Sequence, residues 1–92
     1  MVKLSEDQIS EKLQDRSEWT EMNGAIQRTF QFKDFLASMK FVNDIAAEAE
    51  RCQHHPDILI RYNKVTLTLS THDAGGITDK DFDLASYADA QQ

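Results

Sequence analysis

The sequence predicts an α+β fold in the order α-β-β-α-β-β-α, with a four-stranded antiparallel sheet and helices packed on one face. The first observation is the dipeptide Asn23-Gly24, a strong hairpin signal that lies between two strand-like segments. The second is a long helical repeat of apolar residues in the middle of the chain. The third is a pair of strand-like segments after Pro56, the sole proline. Helices on one face of an antiparallel sheet are the economical packing for this order.

The first helix is predicted over residues 5–15. Ser5 and Gln8 have the spacing of a capping box, in which each side chain bonds the other residue's main-chain N–H. Ile9 and Leu13 follow one helical turn apart, which indicates the buried side of this helix.

The first hairpin is predicted from residues 19–21 and 25–32, which flank the Asn23-Gly24 turn. In its second strand, Ile26, Phe30 and Phe32 share one face, and Arg28 is the polar exception on that face. The alternation predicts that this strand has one face on the core.

The central helix is predicted to begin after Asp34, a good N-cap, and to end near Cys52 or Gln53. Its end is set by Pro56, because the residue before a proline is driven out of helical geometry. The apolar residues expected to face the core are Phe35, Leu36, Met39, Val42, Ile45, Ala46 and Ala49.

A second hairpin is predicted from residues 58–62 and 65–70, with its turn at Asn63-Lys64. In the later strand Val, Leu and Leu alternate with Thr, Thr and Ser, so one face is apolar and the Thr-rich face is open to solvent or to a partner. The loop over residues 71–76 carries His72, and Thr78 caps a last helix that runs to about residue 90.

The 92 residues have the composition of one globular domain, with 40% hydrophobic and 28% charged residues. A net charge of −6 disfavours direct binding to nucleic acid or anionic membranes and favours a small neutral ligand or a protein partner. Cys52 is the only cysteine, and no segment resembles a secretory signal or a membrane span. We therefore expect a cytoplasmic protein, whose small core self-association would help to stabilise.

All three histidines fall at two points that the predicted second hairpin brings together. His54 and His55 lie at the corner between the central helix and the third strand, which Pro56 stiffens. His72 follows the fourth strand. Because antiparallel strands return the chain to its starting side, we expect His72 to lie near the His54-His55 pair.

Two carboxylates accompany the histidines. Glu50 lies one helical turn before His54, and Asp81 lies in the first turn of the last helix. Imidazole gives and takes protons near neutral pH, so the pattern predicts acid–base chemistry. Taken singly, a histidine is more often a surface or capping residue, and Glu50 fits a solvated helix position equally well. Asp81 is favoured as a structural residue, because an acid in that turn stabilises the helix dipole.

Other chemistry is less favoured by the sequence. Zinc binding is a weaker hypothesis, because the adjacent pair His54-His55 is poor geometry for one ion and no His-x-x-x-His spacing occurs. Nucleophilic catalysis is weaker still: Cys52 lies at a helix end, where a buried, small hydrophobic role is expected, and no serine has the context of a nucleophile elbow.

The pattern Glu50-x-x-x-His54-His55-Pro56, followed by Tyr62, His72 and Asp81, resembles the signature of the pterin-4a-carbinolamine dehydratases. The resemblance covers nearly the whole chain and includes the segments Phe30-x-Phe32-Lys33-Asp34-Phe35, Tyr62-Asn63-Lys64-Val65 and Leu69-Ser70-Thr71-His72. Two positions depart from it. Gln53 stands where some relatives have an acid, and Ile58 stands where an aromatic residue is expected, which would alter substrate affinity if that ring walls the site.

The resemblance implies dehydration of 4a-hydroxytetrahydrobiopterin to quinonoid dihydropterin, in recycling of the tetrahydrobiopterin that aromatic amino-acid hydroxylases use. It implies no metal and no organic cofactor. His54 and His72 would transfer protons near the 4a-hydroxyl, and His55 would bind and orient the pterin. The residues implied to support the site or bind substrate are Glu50, Asp81, Pro56, Ser70 and Thr71.

The resemblance also implies a homodimer or homotetramer, as a dimer of dimers, with a helix in a contact between subunits. Animal relatives act as a dimerisation cofactor of a homeodomain transcription factor. A protein-interaction module is therefore the alternative function, with a location in the cytoplasm or also in the nucleus. It would use apolar helix faces rather than the histidines, and neither direct nucleic-acid binding nor membrane binding is expected.

Overall fold

The computed structural model describes residues 2–92. The chain forms the elements α1 (Glu6–Gln14), β1 (Thr20–Met22), β2 (Ala25–Gln31), α2 (Phe35–Cys52), β3 (Asp57–Arg61), β4 (Lys64–Leu69), the short 3-10 helix η1 (His72–Ala74) and α3 (Asp79–Gln91). The strands form one antiparallel sheet in the order β1-β2-β4-β3. The predicted α+β class and element order are confirmed.

The sequence predicted the position of the first hairpin turn correctly, but it placed the second turn one residue too late. Asn23 and Gly24 have φ values of 53° and 78°, the positive pair that a tight two-residue hairpin turn requires, and the prediction there is confirmed. The second turn was predicted one residue too late: Arg61 pairs with Lys64, so the turn is Tyr62-Asn63. Two bonds to Phe32 hold Asn63 in the turn: its carbonyl accepts from the Phe32 N–H at 2.8 Å, and its amide donates to the Phe32 carbonyl at 3.1 Å.

The core lies between one face of the sheet and the helices. The fully buried apolar side chains of the sheet are Ile26, Phe30, Val65, Leu67 and Leu69. From the helices, the buried apolar side chains are Ile9, Phe41, Ile45, Ala49, Phe82, Leu84, Ala85 and Ala88. Each large side chain removed from water in this way contributes roughly 1.5–3 kcal/mol to folding.

The buried face of α2 agrees only in part with the one that the apolar repeat predicts, since Ile45 and Ala49 are buried as expected and Val42 packs partly against the core. Ser38, Phe41, Ile45 and Ala49 face inward, whereas Phe35 and Leu36 are 46% and 78% exposed and Ala46 is exposed. The Phe41 ring lies 4.7 Å from that of Phe30 and 5.0 Å from that of Phe32, which sets the rotation of the helix. Ser38 can be buried because its hydroxyl donates to the Asp34 carbonyl at 3.2 Å.

Arg28, the polar exception on the apolar face of β2, is neutralised by Asp89 of α3. Its Nη1 donates to Asp89 Oδ1 at 2.6 Å, and its guanidinium lies 4.3 Å from the centre of the Phe30 ring. Trp19 Nε1 donates to the same carboxylate at 3.0 Å, and Arg16 Nη1 does so at 3.1 Å. This cluster joins the chain before β1, the strand β2 and the end of α3 around one carboxylate.

The other face of the sheet is the Thr-rich open face that the alternation predicts. Gln27 Nε2 donates to Thr68 Oγ1 at 2.9 Å, and the hydroxyls of Thr29 and Thr66 lie 2.7 Å apart. Leu59 on the edge strand is 55% exposed there. Within residues 2–92, no helix has the length and apolar character needed to cross a bilayer.

Asp89→Ala should lower the free energy of unfolding by about 3 kcal/mol, because it leaves the largely buried Arg28 guanidinium without its counter-ion. Urea unfolding measures this change. The matched control is Asp44→Ala, which removes an exposed pair with Lys40 and should cost less than about 0.5 kcal/mol. Equal losses in the two variants would contradict the role given to Asp89.

Candidate active site

The end of α2 forms the corner that presents two of the histidines. Gln53 adopts a left-handed conformation with φ 54°, and the His54 N–H returns to the Ala49 carbonyl at 3.0 Å. The chain then continues through His55 and Pro56 into β3, which begins at Asp57. His54 is buried, with 8% of its surface exposed, whereas His55 is exposed.

His54 is held by a buried carboxylate on α3. Its Nε2 lies 2.5 Å from Asp81 Oδ1, and Asp81 is fully buried. The second oxygen, Oδ2, accepts the Thr71 hydroxyl at 2.9 Å and the Thr78 N–H at 2.9 Å. Three donors from three segments of the chain therefore converge on one side chain, which offsets the cost of removing its charge from water.

The hydrogens of this network can be assigned by counting donors. An ionised carboxylate only accepts, so Thr71 donates its single hydroxyl hydrogen to Asp81. The bond between Thr71 and Thr78, 2.8 Å long, must then be donated by the Thr78 hydroxyl. By the same reasoning His54 donates from Nε2, and in the neutral form of the ring the lone pair is then on Nδ1.

A second imidazole–carboxylate pair lies at the surface. His55 Nε2 is 2.5 Å from Glu50 Oε2, and both side chains are more than half exposed. Arg51, the cation next to Glu50 in the sequence, bonds instead to Glu48 at 2.9 and 2.5 Å, and these bonds lower the pKa of Glu48. The Glu50 carboxylate therefore bonds to His55 and not to Arg51.

Two open cavities share three lining residues, His55, Ser70 and His72, which we call the ridge. The larger, of about 360 Å³, opens over the uncovered face of the sheet and is lined by Met22, Asn23, Ala25, Gln27, His55, Asp57, Thr68, Ser70 and His72. The smaller, of about 250 Å³, is lined by Gln53, His54, His55, Ser70, Thr71, His72, Asp73 and Lys80. All three histidines line the smaller cavity, so the expected approach of His72 to the His54-His55 pair is observed.

The supporting residues predicted from sequence are placed in different ways. Ser70 lies on the ridge, where its hydroxyl donates to the Gly24 carbonyl at 3.0 Å, and Thr71 is buried beneath the smaller cavity. Pro56 is half-buried at the corner and lines neither cavity.

Two further residues discussed from the sequence lie outside both cavities. Ile58, where the family pattern has an aromatic residue, packs partly against the core and lines neither cavity. Cys52, expected to be buried, is half-buried.

Several lining residues were missed by the sequence reading. Gln27, Thr68 and Asp57 form one cross-strand row on the open face, since Thr68 pairs with both of the others. The row follows from the pairing register of β2, β4 and β3, which the alternation of apolar and polar residues does not specify. Nothing in the sequence marked Lys80 as a site residue, apart from its place in the first turn of α3. Among the described residues no group of three or more His, Cys, Asp or Glu side chains is arranged to hold a metal ion.

Comparisons with known proteins agree on one family. The family model described as pterin 4 alpha carbinolamine dehydratase matches residues 2–91. A protein of Chloroflexus aurantiacus named "Putative pterin-4-alpha-carbinolamine dehydratase" is 52% identical over 89 residues, which are 97% of this chain and 96% of that protein. One of the same name from Picosynechococcus sp. is 49% identical over 88 residues, covering 96% of each chain.

Two solved structures extend the comparison. A crystal structure from Brucella melitensis, described as a transcriptional coactivator/pterin dehydratase, has a TM-score of 0.93 and 35% identity over 97% of each chain. A pterin dehydratase-like protein described as a RuBisCO assembly factor in the alpha-carboxysome has a TM-score of 0.65 and 22% identity, covering 79% of this chain and 84% of that one. The second likeness concerns the fold alone.

Asp81→Asn should lower the free energy of unfolding by about 2 kcal/mol and change the His54 tautomer. The amide oxygen should take the two donors at Oδ2, so its NH₂ group faces His54 and requires Nε2 to accept. Nitrogen-15 NMR of the imidazole should report a proton on Nδ1 instead of Nε2. Asp79→Asn, on the exposed side of the same turn, should change neither quantity. An unchanged His54 tautomer in Asp81→Asn would contradict the network.

Proposed function

The chain belongs to the pterin 4 alpha carbinolamine dehydratase family, and from that premise we propose that it removes water from 4a-hydroxytetrahydrobiopterin to give quinonoid dihydropterin. The observation that carries this proposal is the cavity lined by three imidazoles, two of which have a carboxylate partner. We place the activity, on the family resemblance, in the recycling of tetrahydrobiopterin.

The reaction needs one proton donor and one proton acceptor. The bond between C4a and the hydroxyl oxygen breaks, and the oxygen leaves as water after it accepts a proton. The N5–H proton is removed as the double bond between C4a and N5 forms. The two transfers conserve protons overall, so a single cavity that holds both an acid and a base can perform them.

We assign the base role to His54. Asp81 holds its Nε2–H, so the lone pair that can accept a proton is on Nδ1. When His54 takes the N5 proton, the positive charge that forms on its ring lies beside the Asp81 carboxylate, which stabilises it. Burial and the three bonds to Asp81 also limit rotation of this ring, so it meets the substrate in one orientation.

We assign the acid role to His72 and the binding role to His55. His72 lies in η1 opposite the corner and has no hydrogen bond to a carboxylate within residues 2–92. Its protonated form would donate to the 4a-hydroxyl, and the open cavity allows solvent to restore the proton. His55, held by Glu50, lies on the ridge between both cavities, where it can contact a flat ring that spans them.

We also propose that the chain self-associates through α2. Phe35 and Leu36 are large apolar side chains exposed on its first turn, on the face that the core leaves uncovered. A homodimer or homotetramer built on this face would add buried apolar area to a small domain. The same face is the candidate for a protein partner, a second function favoured by the neighbour described as a transcriptional coactivator. A cytoplasmic or nuclear location stays a prediction.

His54→Ala and His72→Ala should each slow the enzymatic dehydration of chemically generated 4a-carbinolamine by at least about 100-fold, because each removes one proton-transfer group. Stopped-flow absorbance measures the rate after subtraction of the buffer rate. Thr29→Ala, on the open face outside both cavities, is the matched control and should keep the wild-type rate. The proposal is abandoned if wild-type protein is no faster than buffer.

Leu36→Glu should shift the protein toward the monomer at micromolar concentration, because it places a charge in an apolar contact. Sedimentation velocity measures the state of association. The comparison variant is Leu59→Glu, at an exposed leucine on the sheet. Self-association through α2 is contradicted if the wild type is monomeric, or if Leu59→Glu dissociates it while Leu36→Glu does not.

A further inference from the structure

We propose that Asp57 reads the pyrimidine edge of the pterin and makes the site selective for 2-amino-4-oxopteridines. Asp57 is the first residue of β3 and lines the larger cavity beside the ridge of His55, Ser70 and His72. This inference rests on the proposed function, since it assigns the orientation of the substrate in that site.

The Asp57 carboxylate is exposed and has no hydrogen bond or ion pair with other side chains in the described part of the chain. The other carboxylates at the site are engaged differently, since Asp81 is bound to His54 and Glu50 is bound to His55. Asp57 is therefore an acceptor that faces a cavity with its lone pairs unused, and a ligand with paired donors would satisfy it.

The neighbouring row of side chains adds a donor next to this acceptor. Thr68 is the register partner of Asp57, and its Oγ1 accepts a hydrogen bond from Gln27 Nε2 at 2.9 Å. That bond uses one of the two lone pairs of the oxygen, and within residues 2–92 the Thr68 hydroxyl donates to no other side chain, so its hydrogen can donate to a ligand. The floor of the cavity thus presents two carboxylate oxygens beside one hydroxyl donor.

A pterin has the complementary pattern on one edge. Its 2-amino group and N3–H are adjacent donors, and the 4-oxo group next to them is an acceptor. Asp57 would accept from the two donors, and Thr68 would donate to the oxygen. This orientation places C4a and N5 toward the ridge of histidines. The substituent at C6 would then extend into the smaller cavity, where Asp73 and Lys80 are polar neighbours.

The test compares pterin with lumazine, which has an oxo group in place of the 2-amino group. Fluorescence titration should find that wild-type protein binds pterin at least about tenfold more tightly than lumazine, because an oxo group opposes the Asp57 carboxylate. Asp57→Asn should reduce this preference to within about threefold, since an amide can donate to the oxo group. With the carbinolamine substrate, Asp57→Asn should raise KM and leave kcat nearly unchanged.

Two further variants separate this reading from general effects. Asp83→Asn removes the same charge from an exposed position outside both cavities, and it should keep the wild-type preference for pterin. Thr68→Val should weaken pterin and lumazine equally, because both ligands keep the 4-oxo group. If the wild type dehydrates the carbinolamine but Asp57→Asn keeps the full preference, the inference is wrong and the proposed function stands. If the wild type neither binds pterin nor dehydrates the carbinolamine, both are wrong.

Discussion

The buried carboxylate of Asp81 is the group on which both the fold around α3 and the geometry of the site depend. A fully buried charge is costly to remove from water, and it is tolerated here because three donors converge on it. Those donors come from the corner after α2, the chain after β4 and the residue that caps α3. The same bonds therefore stabilise the packing of three segments and fix the orientation of His54.

The two imidazole–carboxylate pairs have different physical settings. His54 and Asp81 are buried, and the network of Thr71 and Thr78 leaves that ring one orientation. His55 and Glu50 are exposed, so water competes for their bond and the ring can adjust to a ligand. One rigid and one adaptable imidazole would suit the reaction that we propose, in which one ring transfers a proton and another accommodates a flat substrate.

The sheet supplies the rest of the site because only one of its faces is covered. Helices cover the apolar face, where Asp89 compensates the charge of Arg28. The other face keeps a polar row that runs into the larger cavity. The pterin dehydratase-like relative described as a RuBisCO assembly factor has this fold at 22% identity. A shared fold does not by itself determine a function, because one fold can carry different sites.

The sequence by itself determined the features that depend on neighbours along the chain: the capping residues Ser5, Asp34 and Thr78, the Asn23-Gly24 turn, and the order of helices and strands. It also indicated that His72 returns to the His54-His55 corner, because a hairpin needs only two strands and a turn. Only the tertiary structure decided which face of α2 is buried, since apolar residues occur on both sides of that helix and the contact of Phe41 with Phe30 and Phe32 selects one. It likewise moved the second turn to Tyr62-Asn63 through bonds to Phe32, and it showed that Asp81, besides its local role in capping α3, bonds to His54. Each of these outcomes is set by contacts between residues far apart in the chain, which local patterns do not encode.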